Sequence, residues 1–227
     1  EHTLPVPYWS DEVKEQTRNM RGDVNVFISN YSITDWGWDA RNDTTVITHG
    51  VDSELFQPDD SLGRENQVLS VVNDWINRDW CCGFGIWQNV IQNLPFHVVG
   101  DTPGLSEVAS STEELVKTYQ SNRIFLNTST ISPVPTALLE AMSCGCAVVT
   151  TATCMIPEII EHGVNGFISN DEEELKQHLV ELLNDEDLAK RLGKEARKTI
   201  VENFSQEKFA LKWDSLFHKS AKICFRG

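Results

Sequence analysis

The chain has 227 residues, 40% of them hydrophobic and 23% charged, with a formal net charge of -15. That length buries one good core, or one domain with part of another, and the composition is that of an ordinary soluble globular protein. With 19 Lys and Arg against 34 Asp and Glu, it argues against a nucleic-acid backbone as partner, which needs clustered cations; the acidity reads as solubility.

No apolar run approaches the ~20 residues of a membrane span, and no charged-then-apolar leader opens the chain. The expected location is cytoplasmic, with peripheral membrane contact left open. The first residue is Glu1 rather than Met, so a fragment or processed product is expected. Six cysteines (Cys81, Cys82, Cys144, Cys146, Cys154 and Cys224) lack the double C-x-x-C spacing of a zinc site. They read as small buried thiols of a reducing compartment, and no metal is expected.

Residues 1–10 (EHTLPVPYWS) are rich in proline and aromatic residues and read as extended. Ser10-Asp11 caps a helix to about Met20, with Glu12 and Glu15 in its first turn. Val24 to Ser29 reads as a buried strand, Tyr31 to Ala40 as a short helix weakened by Gly37, and Thr44 to Thr48 as a second strand. Asp59 to Asn66 (DDSLGREN) is a polar crossing suited to an interdomain linker.

From Gln67 the pattern alternates strand and helix, which implies a parallel sheet with helices on both faces, an α/β Rossmann-like fold. The expected strands are Gln67–Val72, Phe96–Val99, Arg123–Asn127, Cys146–Thr150 and Gly166–Ile168. The expected helices are Phe84–Gln92, Thr112–Gln120, Thr136–Met142, Ile156–Glu161, Asp171–Asn184 and Glu186–Asn203, with Ser205 capping a last one to about Cys224.

In such sheets ligands bind outside the carboxyl ends of the strands. Three loops meet that condition: Asn73 to Gly83, Gly100 to Gly104, and Thr128 to Pro135. In the third, the two prolines of Ser132-Pro133-Val134-Pro135 forbid regular helix or central strand. The helix from Thr136 then offers free N–H groups and a positive dipole end, which suit a phosphate. Leu138, Leu139 and Met142 mark its apolar face, Gly145 suits its left-handed stop, and Glu140 shares a face with Thr136. Trp75, Trp80 and Trp87 are dense for one loop and helix. They read as core-edge packing or as a base or sugar platform.

The run LLEAMSCGCAVVTT, then IPEII, then HGVNGF resembles the donor-binding half of GT-B glycosyltransferases of the large retaining family that uses nucleotide sugars. The family pattern is roughly E-G-F-G-L-x-L-L-E-A-M-A-x-G-x-P-V-V, then I-x-E-I-I, then G-x-x-G-x-L. The match runs from about Val46 to Phe209. His49-Gly50-Val51-Asp52 with Phe56 and Pro58 is similar to the turn that closes the family's first domain. The resemblance therefore implies that residues 1–58 are the end of an acceptor-side domain with its linker, and that 59–227 are the nucleotide-sugar-binding domain. A missing N-terminal domain or partner chain is then expected.

The resemblance implies a nucleotide-sugar co-substrate such as a UDP- or GDP-sugar, no other cofactor, no metal, and an unidentified glycan, lipid or small-molecule acceptor. It assigns donor binding to Asn73, Arg78, Gly83, Asp101, Ser132, Val134, Thr136, Ala137 and Glu140, with Arg78 and Ser132 as the expected catalytic residues. Glu140 matches the second motif Glu and would accept hydrogen bonds from both ribose hydroxyls. Arg78 would clamp the diphosphate, or else pair Asp74 or Asp79 as a surface side chain. The sequence departs from the pattern at two places: Ser132 stands at the first motif Glu, and Cys82 stands where a Lys precedes the matching Gly83. Glu158 reads as a helix-start carboxylate and His49 as a junction residue. A non-catalytic nucleotide-binding or interaction module, and more distantly a sugar-nucleotide epimerase, are the competing readings.

Overall fold

The computed structural model describes residues 4–38 and 43–224. In chain order the elements are α1 (Asp11–Arg18), β1 (Asn25–Phe27), α2 (Asn30–Asp35), β2 (Thr44–Val46), β3 (Glu65–Val71), α3 (Asp79–Cys82), α4 (Phe84–Val90) and β4 (Phe96–Val99). They continue with α5 (Thr112–Ser121), β5 (Asn122–Asn127), α6 (Thr136–Ser143), β6 (Ala147–Thr150), α7 (Ile156–Ile159), β7 (Phe167–Ile168), α8 (Glu172–Asn184), α9 (Glu186–Asn203) and α10 (Gln206–Cys224).

Two sheets organise them. β1 and β2 pair in parallel, Asn25 opposite Thr44, and Phe27, Ile33, Trp36 and Trp38 close a small core beside them. The second sheet has five strands in the order β4-β3-β5-β6-β7, every pairing parallel. The chain leaves β3 to one side for β4 and then crosses back to β5, so the strand order reverses between β3 and β5. Both faces of this sheet are covered, and its strands are apolar on both sides. Phe125 points into a cluster with Tyr119, Leu138, Leu139 and Ile200. Its neighbours Ile124 and Leu126 point the other way, toward Trp87, Leu175 and Leu179.

Several expected elements are shorter, each for a local reason. Ser29 caps α2 by accepting from Ser32 N–H, and the helix stops at Asp35 because Gly37 turns the chain at φ +67. Asp39 and Ala40, the end of the expected helix, lie outside the described residues, as do Glu1 to Thr3 and the side chain of Cys224. α7 ends at Ile159 because Ile160 is already extended. Residues 4–6 are irregular, and a turn follows in which Trp9 N–H bonds to Val6 O at 3.1 Å. The short α3 was not expected, since its first residues carry no capping side chain. Cys81, Cys82, Cys144 and Cys146 are buried free thiols, as expected, and Cys154 is half-buried.

α6 ends as its Gly145 implied. Gly145 has φ +76, its N–H bonds to Met142 O at 3.0 Å, and Cys146 N–H bonds to Ala141 O at 3.0 Å, the paired bonds of a Schellman stop. Two arginines hold that end of the molecule. Arg197 donates to Phe56 O and Ser143 O at 2.8 Å and to Ser53 O at 3.0 Å. Arg64 donates to Asn122 O at 3.0 Å and to Cys144 O at 2.5 Å. The segment after β2 returns to the last helices through Val51, whose N–H bonds to Phe204 O at 2.8 Å and whose carbonyl accepts from Gln206 N–H at 2.9 Å.

α9 approaches α6 through a backbone contact. A Cβ on Gly193 would stand 2.1 Å from Gly145 O. An ordinary helical Gly→Ala change gains up to about 1 kcal/mol. Gly193→Ala is expected to lose at least ~1–3 kcal/mol through overpacking, read by urea unfolding; a gain would contradict this packing.

Candidate active site

A cleft of about 520 Å³ opens outside the carboxyl ends of β3 and β5, where the strand order reverses. Seven of the nine residues expected to bind donor line it: Asn73, Arg78, Ser132, Val134, Thr136, Ala137 and Glu140. A larger hollow of about 610 Å³ lies at the opposite ends of the strands, between residues 58–64 and α9. Its Arg64 and Arg197 are occupied with the backbone carbonyls described above, so the smaller cleft is the candidate site.

Gly83 and Asp101 do not line the cleft, but each builds it. Gly83 has φ +64, and a Cβ there would stand 2.0 Å from Thr128 O. Only glycine lets the loop after β3 touch the loop after β5 so closely. Cys82 O accepts from Thr128 Oγ1 at 3.1 Å, and Cys81 O accepts from Thr130 N–H at 2.9 Å and Ile131 N–H at 3.2 Å. Asp101 N–H donates to Asn73 Oδ1 at 2.9 Å, and Asp101 O accepts from Asp74 N–H at 2.6 Å. Asp101 thus pins the loop that carries Asn73 and itself faces solvent.

The amino end of α6 faces the cleft. Its N-cap is Pro135, which has no side-chain acceptor. Pro135 O accepts from Leu138 and Leu139 N–H at 3.2 and 3.3 Å. The N–H of Leu138 is therefore already paired within the first turn. Among the described residues, the N–H groups of Thr136 and Ala137 have no partner. Two open donors at a positive dipole end make an anion seat.

Glu140, one turn along, lines the cleft. Tyr119 OH donates to its Oε2 at 2.9 Å, and Tyr119 is fully buried. Burial pushes the Glu140 carboxyl up, partly offset by that hydrogen bond. Tyr119 was missed in the sequence, where it looks like any apolar-face helix residue. It fixes one carboxylate oxygen and leaves the other for a ligand.

Among the described residues lining the cleft, Arg78 is the only cation and Glu140 the only anion. Arg78 is exposed and donates from Nη1 to Asn73 O at 3.4 Å. Among the described residues no ion pair joins it to Asp74 or Asp79; Asp74 Oδ1 accepts from Asn77 Nδ2 at 2.7 Å, and Asp79 Oδ1 accepts from Gly85 N–H at 2.8 Å. The Cys82 thiol, where the sequence resemblance expects a Lys, is pushed up to about 12, first by burial and then by the adjacent Cys81. It stays neutral at physiological pH.

Ser132, on the loop after β5, lines the cleft, and its backbone hydrogen-bonds the thiol of Cys154. Trp75 and Trp87 are core, 0% and 4% exposed, but Trp80 is 40% exposed and lines the cleft with Leu4 and Val6. Glu158 sits in the first turn of α7 and accepts from Asn30 Nδ2 at 3.2 Å, a tie between α2 and α7 rather than a site group.

Residues 88–199 match the family described as Glycosyl transferases group 1. The chain is 34% identical over 83 residues to N-acetyl-alpha-D-glucosaminyl L-malate synthase of Bacillus anthracis, covering 36% of this chain and 22% of that one. It is 30% identical over 207 residues to the probable sucrose-phosphate synthase of Thermosipho melanesiensis, covering 78% of this chain and 48% of that one. The chain thus spans less than half the length of these two relatives. Among solved structures, sucrose-phosphate synthase from Thermosynechococcus elongatus superposes with TM-score 0.81 at 16% identity, covering 95% of this chain and 63% of that one. Anabaena Alr3699/HepE, solved in complex with UDP, superposes with TM-score 0.80 at 18% identity, covering 96% and 71%. At those identities the likeness is one of fold.

The Glu140 carboxyl gives a pH signature. A raised folded-state value means that the native protein holds this proton to higher pH than the unfolded chain does. Stability therefore falls as pH rises from the ordinary carboxylate range through the raised value, and the deficit is constant above it. Glu140→Gln is expected to remove that component and Tyr119→Phe to deepen it, read by urea unfolding from about pH 4 to 8. An unchanged pH profile in Glu140→Gln would contradict the burial of this carboxyl.

Proposed function

We propose, for a chain that carries a glycosyltransferase group 1 domain of the GT-B type, transfer of a sugar from a nucleotide-sugar donor to an acceptor with retention of anomeric configuration. The observation that carries the reading is the pairing of an open anion seat with a carboxylate one turn away in one cleft: Thr136 and Ala137 N–H, then Glu140. A diphosphate on the seat places its pentose over Glu140, whose free oxygen accepts from the ribose hydroxyls. Arg78 reaches the same phosphates from the facing loop.

In this reading no metal and no resident cofactor take part, and residues 1–58 are the end of an acceptor-side domain. Departure of the nucleoside diphosphate develops negative charge on its terminal phosphate. Arg78 and the positive end of α6 are fixed before that charge appears, so they lower the barrier by preorganised electrostatics. Ser132 offers a hydroxyl to the donor sugar, where the family uses a carboxylate. UDP or GDP as the leaving group fits the seat equally well.

One observation favours a second reading, a module that binds nucleotide without chemistry. The neutral, buried Cys82 replaces a cation, leaving a single Arg for two phosphates. Release of nucleoside diphosphate from labelled UDP- or GDP-sugars separates the two: turnover supports transfer, and binding without turnover supports the module.

Two substitutions test the seat by calorimetry with UDP, GDP and ADP. Glu140→Ala is expected to weaken binding by ~1–3 kcal/mol, the scale of hydrogen bonds to a charged group. Arg78→Ala is expected to weaken diphosphates far more than the parent nucleosides. Unchanged affinity in the first removes the ribose assignment; equal losses in the second make Arg78 a structural side chain.

A further inference from the structure

The cleft is lined by two groups of different chemistry. Leu115, Ala137 and Glu140 come from α5 and α6. Trp80 and Ile131 come from the segments after β3 and β5, and Leu4 and Val6 from the start of the chain. The nucleotide reading above places the diphosphate, the ribose and, at Ser132, the donor sugar; the apolar and aromatic side chains of the second group take no part in it.

Trp80 stands out there. Trp36, Trp38, Trp75 and Trp87 are all buried, between 0% and 8% exposed, while Trp80 is 40% exposed. Tyr8, 71% exposed, meets it edge to face, with ring centroids 5.3 Å apart and planes at 85°. Two open rings at a right angle form an aromatic corner. Its position relative to the chemistry is held by the backbone: Trp80 O accepts from Thr130 Oγ1 at 3.0 Å, two residues before Ser132. Arg78 is two residues away on the other side. The corner therefore adjoins the loop that carries Ser132.

We infer that Trp80, with Tyr8 beside it, is a stacking platform for a pyranose ring of the acceptor, so that the acceptor is a saccharide rather than a lipid or a simple alcohol. This deepens the transfer reading and rests on it. A pyranose presents a face of C–H bonds ringed by hydroxyls. The C–H face suits the electron-rich face of an indole, and the rim hydroxyls need polar partners, which the side-chain amide of Asn73 supplies on the loop that carries Trp80. An acyl chain would satisfy the rings but leave that amide facing hydrocarbon.

The test titrates methyl α-D-glucopyranoside, methyl α-D-mannopyranoside and methyl α-D-galactopyranoside into the 15N-labelled chain, alone and with saturating UDP, GDP or ADP. The indole N–H signals are followed, that of Trp80 being the one lost in Trp80→Phe. At least one glycoside is expected to move the Trp80 signal saturably. Trp80→Ala is expected to weaken that binding by about tenfold, one decade in affinity, with nucleotide affinity within about twofold of the parent. Trp80→Phe keeps a flat ring and should retain most of the sugar affinity. Tyr8→Ala, on a segment outside both sheets, should weaken it less.

No glycoside effect on Trp80 while nucleotides bind would overturn the platform and leave the donor reading standing. Equal loss of nucleotide and glycoside in Trp80→Ala would overturn it in favour of base stacking. Glycoside binding with no nucleotide binding would remove the donor reading and, with it, the assignment of the platform to an acceptor.

Discussion

Everything at the candidate site depends on one contact between two loops. Gly83 lies directly under the carbonyl of Thr128, with room for hydrogen and nothing larger. Around it, Cys81 O and Cys82 O accept from Thr128, Thr130 and Ile131. This stitching sets how far Arg78 and Trp80, on the loop after β3, stand from Ser132 and the amino end of α6. Without it there would be two separate strand ends and no cleft between them. The positive φ that glycine alone adopts cheaply and the small residue at the joint are one requirement seen twice.

The electrostatics follow from that frame. The chain carries a net charge of -15, so a phosphate must be drawn in by local rather than global charge. Locally the supply is spare: one guanidinium, two open N–H groups and a helix dipole. Proline at the N-cap of α6 leaves the helix without a side-chain cap, a cost an ordinary helix avoids. That omission keeps the donors open at the place where a diphosphate would bring its own oxygens. Glu140 sits near enough to shape the pocket, and Tyr119 OH holds one of its carboxylate oxygens.

Much of this was legible in the residues. The alternation from Gln67 onward gave the parallel α/β sheet, because strands buried on both faces are apolar runs and segments of helix formers separate them. Gly145 and Pro135 marked the ends of α6, since each residue type has one comfortable place there. Seven of the nine residues expected to bind donor meet in one cleft because they sit beyond the carboxyl ends of adjacent strands. The remainder was hidden for physical reasons. Gly83 and Asp101 act through contacts between loops distant in sequence, which local patterns do not record. Tyr119 reaches Glu140 across 21 positions. Trp80 and Trp75 have the same composition signal, and only the three-dimensional course of the loop buries one and opens the other.

The account stands or falls on where a nucleoside diphosphate sits. A crystal structure of the chain grown with UDP, GDP or ADP measures this directly. The diphosphate should lie on the N–H groups of Thr136 and Ala137 within reach of Arg78, with the ribose hydroxyls on Glu140. A nucleotide bound anywhere else, or a cleft closed by the side chains of Leu4, Val6 and Trp80 with the nucleotide excluded, would contradict it.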